Sequence, residues 1–280
     1  MTRRLMMGAA AAAMTVATVV SAQAADLPTR KAPPAPVYVP PVFNWTGFYV
    51  GVNAGGIWSS GSRSATLVDP GFAWLSTYFP GGIGNNQSGF IGGGQVGYNY
   101  QWTSWVFGAE ADFQGTTLNK TYNYASTPFG SIVNGTIIPT ALVGDHLYVN
   151  AKANLDWLGT VRGRVGFVAT PDNRLLIYGT GGLAYAGGSS SYNVYDAVGG
   201  AYWSGNPSST RTGWTIGGGV EYAWTNNITI RAEYLYVDLG SRTINTTPNL
   251  AAATALPNVY ATARINYDAS IVRAAINYKF

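Results

Sequence analysis

The most regular pattern in this chain runs from Phe90 to Phe113, where apolar and polar side chains alternate. Before a two-residue break at 103–104 the alternating apolar residues are even-numbered and end at Trp102, and after it they are odd-numbered and begin at Trp105. Gln, Asn, Glu and Asp residues occupy positions between them. Successive side chains of a β-strand point to opposite faces. The segment therefore predicts two antiparallel strands with one apolar, aromatic-rich face and one polar face.

The same alternation recurs in about eight segments of the chain. Apart from the hairpin, these segments cover about 45–59, 147–167, 175–185, 214–224, 228–236 and the stretch that ends at Phe280. Short connections near 103, 171 and 226 alternate with long ones at about 60–88, 116–146, 188–211 and 240–262. This arrangement predicts an all-β fold, a transmembrane antiparallel up-and-down β-barrel of eight strands. Ten strands are also compatible with the sequence, because the apolar runs at 131–133 and 136–138 are able to pair.

Two of these strands raise the question of which residues face outward. In the fourth strand the odd-numbered residues from Leu147 to Phe167 are mostly apolar, which assigns them all to the outer face. In the last strand the outward residues are even-numbered up to Phe280, whereas the apolar residues Ile265 and Tyr267 are odd-numbered. The pattern therefore predicts a change of parity upstream of residue 270, and a β-bulge is one way to produce it.

The N-terminus has the features of an export signal. Two arginines precede an uncharged run from Leu5 to Ala25, and Ala22-Gln23-Ala24 is a small-x-small cleavage site, so residues 1–24 are predicted to be a signal peptide. A retained anchor is the alternative, since the run is about long enough to span a bilayer. Residues 25–44 contain six prolines and are predicted to form a periplasmic spacer. The barrel is assigned to residues 45–280.

Composition narrows the class of protein. The chain has no cysteine, which excludes disulfides and thiolate metal sites. Only 10% of the residues are charged, whereas 36 are Gly and 19 are Tyr, a balance that is typical of strands ending in aromatic girdles. Of 16 basic residues, Arg3 and Arg4 lie in the predicted signal peptide, which leaves 14 against 12 acidic ones, and no basic run indicates nucleic-acid binding.

The predicted strands turn eight charged side chains toward the lumen. They comprise four acids and four arginines: Glu110, Asp112, Arg162, Arg164, Glu221, Arg231, Glu233 and Arg273. Buried charge is costly unless it is paired, and the planar guanidinium suits carboxylate partners. We predict a neutral ionic network in the lumen. It is either a structural plug or a gate along an ion path, and the small interior of an eight-stranded barrel favours the plug.

Other motifs indicate little chemistry. Gly92-Gly-Gly94-Gln-Val-Gly97 has the spacing of a dinucleotide-binding loop, but no helix follows it, so we predict no cofactor. His146 is the only histidine and neighbours Asp145 in a long loop. A hydrolytic site would need a nucleophile that the sequence does not indicate, and we predict neither a catalytic nor a metal site.

Several local sequences resemble the outer-membrane immunogenic β-barrel family of alphaproteobacteria, which is related to opacity-type and outer-membrane protein A-like barrels and is often called a porin family. They are Ala24-Ala-Asp26-Leu, Phe43-Asn-Trp45-Thr-Gly47-Phe-Tyr49-Val-Gly51, Trp157-Leu-Gly159-Thr-Val-Arg162-Gly-Arg164-Val-Gly166 and Arg273-Ala-Ala-Ile-Asn277-Tyr-Lys-Phe280. The resemblance implies an eight-stranded barrel with surface antigenicity. It also implies that Tyr278 and Phe280 belong to a signal for the barrel-assembly machinery.

The expected function follows from this fold and its location. We expect a non-enzymatic protein in the outer membrane of a Gram-negative bacterium, with a structural role in the envelope and surface-exposed loops that act as antigens or in adhesion. A small-solute channel or a haem-uptake component is the alternative. The expected partners are outer-membrane lipid, lipopolysaccharide and the barrel-assembly machinery, and the sequence does not specify the oligomeric state.

Overall fold

A computed structural model describes residues 42–59, 63–68, 87–125, 131–133, 136–138, 147–196, 200–206, 208–255, 258 and 260–280. The predicted signal peptide, most of the spacer and His146 lie outside these residues. Among the described residues, strands form at β1 (Gly47–Ser59), β2 (Arg63–Val68), β3 (Gln87–Trp102), β4 (Trp105–Ala125), β5 (Ser131–Val133), β6 (Thr136–Ile138), β7 (Leu147–Val168), β8 (Leu175–Asp196), β9 (Tyr202–Gly205), β10 (Ser208–Ala223), β11 (Ile228–Asn245), β12 (Thr247–Pro248) and β13 (Tyr260–Lys279). One short helix, α1 (Leu250–Ala255), follows β12.

Eight of these strands close into a ring of antiparallel pairs. The order around the ring is β1-β3-β4-β7-β8-β10-β11-β13, and β13 pairs with β1 to complete it. A closed ladder leaves no free edge and satisfies the backbone groups internally, as the interior of a bilayer requires. The predicted eight-stranded antiparallel barrel is confirmed. Strands β5 and β6 pair only with each other among the described residues, so they do not extend the ring to ten strands.

The outward face of the ring is an apolar band between two aromatic girdles. Phe48 and Trp58 mark the two girdles on β1, and Trp224 and Trp214 mark them around β10. Each pair is ten residues apart, and ten residues tilted by about 40° cover roughly 25 Å, the height of the apolar band of such barrels. We call the end with the short turns near 103, 171 and 226 the lower end of the barrel.

The strands continue far above the upper girdle. Much of the described part of the predicted long loops is β-structure: β4 extends to Ala125, β8 to Asp196 and β11 to Asn245. Inward apolar residues of these extensions, among them Val194 and Ile244, pack against each other inside the ring. The predicted loop at 116–146 was therefore wrong in its first ten residues, because burial of these side chains continues the ladder beyond the membrane.

Two expectations about strand faces were also wrong. On β7 the odd-numbered residues Val149, Ala151 and Leu155 face the lumen, not the outside. A bulge explains this, since Ala153 pairs with Ser190 while Trp157 pairs with Gly187, which leaves one extra residue on β7. An extra residue exchanges the two faces of a strand, and alternation counted across it gives the opposite orientation.

On β13, by contrast, the parity does not change. Odd-numbered residues, including Ile265, are buried along the whole strand, and Tyr267 is partly buried against the same interior. The irregularity lies on the neighbouring strand: Asp238 pairs with Asp268 and Ser241 with Asn266, so β11 carries the extra residue. The apolar residues at odd positions belong to an interior that is itself apolar at this height.

The lumen is filled by stacked layers of side chains. The lower apolar layer consists of Phe43, Trp45, Val106, Val168, Leu176, Tyr178 and Ala223. Above it lies the ionic layer with the eight predicted charges. The middle apolar layer consists of Ile57, Ile91, Leu118, Leu155, Leu158, Ala184, Ala186, Leu235, Val237, Leu239, Ala269 and Ile271. The upper apolar layer consists of Val149, Ala151, Tyr192, Val194, Ala201, Trp203, Ile244, Ala252, Ala261, Ala263 and Ile265.

Hydrogen bonds hold the start of the barrel in its lower end. The Trp45 indole nitrogen donates to the Asn173 carbonyl at 2.8 Å, and the Trp45 backbone N–H donates to Gln101 Oε1 at 2.8 Å. The Phe43 N–H donates to the Asp172 carbonyl at 3.1 Å. Residues 43 and 45 therefore lie buried across the opening between the short turns, below the ionic layer.

Candidate functional site

The ionic layer begins with pairs that the strand register sets directly. Glu110 on β4 lies opposite Arg162 on β7, Glu221 on β10 lies opposite Arg231 on β11, and Glu233 on β11 lies opposite Arg273 on β13. Directly opposite side chains of antiparallel strands have Cβ atoms about 4.5–5.5 Å apart. Three of the four acids thus have an arginine partner within reach before any contact across the lumen is considered.

Longer contacts then connect opposite walls of the barrel. Arg162 Nη1 reaches Glu233 Oε1 at 3.1 Å, Arg273 Nη2 reaches Asp112 Oδ2 at 2.9 Å, and Arg164 Nη2 reaches Glu221 Oε2 at 2.7 Å. Arg231 Nη1 also binds Glu110. These bonds join β4 and β7 to β10, β11 and β13, none of which is a neighbour of β4 or β7 in the ring. The network therefore ties the wall together through the lumen.

Each acid contacts at least two arginines, and Glu110 also lies 3.8 Å from Arg273 Nη2. Glu110 bridges Arg162 and Arg231, and Glu221 bridges Arg164 and Arg231. Asp112 and Glu233 each bridge Arg162 and Arg273. The side chains are at most 3% exposed, so the pairs are shielded from water. The eight charges form one connected and formally neutral cluster, which meets the condition for burying charge in a poorly polarisable interior.

Arg162 is the best connected of the four arginines. Its Nη2 binds Glu110 and Asp112, its Nη1 binds Glu233, and its Nε donates to Thr160 Oγ1 at 2.9 Å. Arg164 Nε and Arg273 Nη1 have no hydrogen-bond partner. Every nitrogen of the Arg162 guanidinium is bonded, so its loss would remove hydrogen bonds from three carboxylates at once.

Neutral side chains that were not predicted as members of the network complete the layer. Tyr49 donates to Glu110, and the Tyr178 hydroxyl donates to Glu233 Oε1 at 2.9 Å. Asn277 Nδ2 donates to Glu221 Oε1 at 3.0 Å, and Thr229 donates to the same oxygen. All four occupy buried, inward positions of their strands, so strand parity was the available signal. Partner choice across the lumen was not readable from parity.

Glycines make space for the two tyrosines. A Cβ atom at Gly97 would lie 2.4 Å from the Tyr49 hydroxyl, and a Cβ at Gly219 would lie 2.8 Å from the Tyr178 hydroxyl. Arg164 also stacks on Tyr178, with its Cζ 4.1 Å from the ring centroid. The inward glycines thus allow aromatic rings to lie against the wall and reach the carboxylates.

The layer fits a packing role better than proton or ion chemistry. Each carboxylate is bound by cations or donors, and the apolar layers above and below separate it from water. No group of three or more His, Cys, Asp or Glu residues in the described ranges is placed to hold a metal ion. In the same ranges, no helix has the length and apolar character needed to cross a membrane.

The two residues predicted to act in assembly lie outside the lumen. Tyr278 and Phe280 are outward-facing, 49% and 70% exposed, and their rings contact each other at 5.2 Å between centroids. Tyr278 pairs with Val50 of β1, and the Phe280 N–H donates to the Phe48 carbonyl at 3.0 Å. They lie at the seam where β13 closes on β1.

Comparison with known proteins places the chain among outer-membrane proteins. The family model described as outer membrane protein β-barrel domain matches residues 9–280. The 31 kDa outer-membrane immunogenic protein of Brucella melitensis is 37% identical over 93% of this chain and 94% of that protein. The 22 kDa outer membrane protein of Rhizobium leguminosarum is 32% identical over 73% of this chain and 69% of that protein. Among solved structures, the outer membrane protein OprG of Pseudomonas aeruginosa is 13% identical, covers 85% of this chain and 98% of its own, and has a TM-score of 0.41.

Proposed function

This chain belongs to the outer membrane protein β-barrel family, and we propose that it acts as a closed structural barrel that stabilises the envelope and displays its upper extension to the outside. It is an outer-membrane protein, like its relatives from Brucella and Rhizobium. Those relatives are named as outer-membrane or immunogenic proteins, not as enzymes, and we propose that this chain is likewise not an enzyme.

The filled lumen is the observation that carries this proposal. An ion that crossed the barrel would have to break ion pairs in the neutral, water-shielded ionic layer. It would then have to pass the middle apolar layer, where Ile57, Ile91 and Ile271 are 0% exposed. Moving a charge through an apolar, unhydrated layer is strongly unfavourable. The small-solute channel or haem-uptake function would require an open path, and the layers argue against one.

The proposed partners follow from the outer surface. The apolar band and its two girdles suit outer-membrane lipid, and the upper girdle lies at the height at which lipopolysaccharide would contact the barrel. We propose the barrel-assembly machinery as the partner of Tyr278 and Phe280, because both are exposed next to the closing seam. The proposal includes no nucleic acid and no cofactor.

Planar-bilayer recording of the refolded wild-type protein tests whether the barrel is closed. We expect little steady conductance, because buried apolar and ion-paired side chains of the described residues occupy the lumen in four layers. As a control for insertion, the same samples should show the shift in gel mobility between unheated and heated protein that folded barrels give. Stable nanosiemens-scale openings, with ion selectivity that changes in Arg162→Met or Glu110→Gln, would contradict the closed barrel.

A deletion strain tests the envelope role. Loss of the protein should increase sensitivity to detergents and to large antibiotics, and the wild-type gene should restore resistance without changing uptake of small solutes. A strain with a normal barrier and a defect limited to uptake of one solute would instead support the transport alternative.

A further inference from the structure

One more buried arginine, in addition to the four of the network, lies above the ionic layer. Arg211 on β10 is 8% exposed and faces the lumen opposite Ala186, a member of the middle apolar layer. Its Nη2 donates to the Tyr267 hydroxyl at 2.9 Å and to Ser190 Oγ at 3.3 Å. The guanidinium carbon lies 3.6 Å from the centroid of the Tyr267 ring. Tyr267 itself packs against both the middle and the upper apolar layers.

The guanidinium is incompletely bonded. Arg211 Nε and Nη1 are buried and have no hydrogen-bond partner. Tyr192, on the same inward face of β8 two residues beyond Ser190, also has a buried hydroxyl without a partner. Unmet donors in an interior of this kind are unusual, because each one costs free energy comparable to a lost hydrogen bond. These unpaired N–H and O–H groups lack a hydrogen-bond acceptor.

The charge of Arg211 is uncompensated as well. Among the described residues, its ionisable neighbours are Tyr267 and Arg242, and the like charge of Arg242 opposes it. The nearest acid on β13, Asp268, lies at an outward-facing position of the strand. The four acids of the ionic layer are already matched by four arginines. A water molecule would satisfy the open donors but would leave this positive charge in place.

We infer that Arg211, with Ser190 and Tyr267, forms a binding site for a small oxyanion, a phosphate or a carboxylate, in the upper lumen. An oxyanion supplies both the acceptor atoms and the negative charge that the site lacks, and guanidinium groups bind such anions through charge-assisted hydrogen bonds. The aromatic face of Tyr267 holds the guanidinium in place. This site is separate from the ionic layer, and the inference does not depend on the proposed structural role of the closed barrel.

The test measures binding of inorganic phosphate and of acetate to the full-length mature protein refolded in detergent micelles. Calorimetric titration at constant ionic strength should give saturable binding of at least one of the two anions, with one site per barrel. The same anion should raise the heat-unfolding temperature. Binding of phosphate alone assigns a tetrahedral oxyanion, and binding of acetate alone assigns a carboxylate.

Arg211→Met and Arg174→Met are the matched variants. Arg211→Met should weaken binding by about tenfold or more, the effect of losing a hydrogen bond to a charged group. It should still fold, because methionine suits the apolar layers on either side. Arg174, which donates to the Ala223 carbonyl at the lower end, provides the control and should keep wild-type affinity when replaced. Arg211→Lys, which retains the charge, provides a second test if the methionine variant does not fold.

Three outcomes would overturn the inference. One is equal binding by wild type and Arg211→Met, which would assign the anion to another place. Another is absence of saturable binding of both phosphate and acetate by the folded wild type. The third is binding that Arg174→Met weakens as much as Arg211→Met does.

Discussion

At the scale of single residues, Arg162 makes more hydrogen bonds than any other arginine of the ionic layer. It contacts Glu110, Asp112 and Glu233 and is 2% exposed. A buried ion pair adds little net stability compared with apolar packing, but removal of one partner leaves a charge that water does not reach. The main effect of losing Arg162 is therefore the buried carboxylate charge that it no longer neutralises, and the energy of any one contact matters less.

Replacing Arg162 with alanine should destabilise the barrel by about 3–5 kcal/mol, the cost of breaking a buried pair. Urea unfolding in lipid vesicles measures the free energy, and the heat-induced gel shift should occur at a lower temperature. Lys152→Ala, which removes an exposed positive charge from the upper part of β7, is the matched control and should change stability by less than about 1 kcal/mol. Equal stability of Arg162→Ala and wild type would show that the network is dispensable for packing.

At the scale of elements, bulges decide which face of a strand is inside. The bulge on β11 uses Gly240, which has φ of +74°, a conformation that side chains with a Cβ rarely adopt. A Cβ at this position would meet no atom within 4 Å. The requirement for glycine therefore comes from the backbone and not from crowding.

Gly240→Ala should cost about 1 kcal/mol of unfolding free energy from backbone strain. Gly115→Ala on β4 is the matched control, because a Cβ there also meets nothing within 4 Å and the residue does not have positive φ. It should be neutral or slightly stabilising. The two variants are compared by urea unfolding, and equal effects would mean that the bulge does not need its glycine.

The seam between β1 and β13 is the second element with a specific prediction. Deletion of Phe280, or its change to Asp, removes an exposed aromatic group and disturbs the N–H contact to Phe48 that ends the seam. We expect the protein to remain in the periplasm and to be degraded, whereas Phe280→Tyr should assemble. Immunoblots of fractionated membranes provide the measurement. Normal outer-membrane levels of the deletion variant would contradict a role of Phe280 in assembly.

At the scale of the whole molecule, the outer face and the lumen of the barrel have different surroundings. Outward side chains lie in an apolar band about the height of a bilayer core, while the lumen holds charge in one layer and apolar side chains in the layers on either side of it. An up-and-down barrel gains its stability from both the closed ladder and this filled interior. The upper apolar layer continues that interior above the membrane and supports the strands that extend there.

Adjacent alanines on β13 test this division of faces. Ala274 is exposed on the outward face, and Ala275 is 3% exposed in the lumen. Cysteine at 274 should react with a lipid-phase thiol probe in reconstituted vesicles, and cysteine at 275 should be protected until the barrel is unfolded. The two variants differ by one residue position, so depth in the membrane is nearly the same. Equal labelling of both would contradict the assigned faces.

The sequence by itself determined the barrel, its girdles and the set of inward charges. Alternation is a local property with a period of two residues, so the apolar positions of segments such as 45–59 and 214–224 identified the outward face without knowledge of any strand pair. The same period assigned Glu110, Arg162 and Glu233 to the interior. The spacing of the connections favoured eight strands and left ten open, and the separate pairing of β5 with β6 decided for eight.

Only the tertiary structure decided which charges meet and where the faces exchange. The contact of Arg162 with Glu233 joins two strands that are not neighbours in the ring, so the alternation within either strand does not show it. The inward position of Leu155 depends on one extra, unpaired residue in β7. The alternation in the sequence gives no sign of this bulge. The isolation of Arg211 depends on what every neighbouring strand places at its height, and that is a property of the closed barrel.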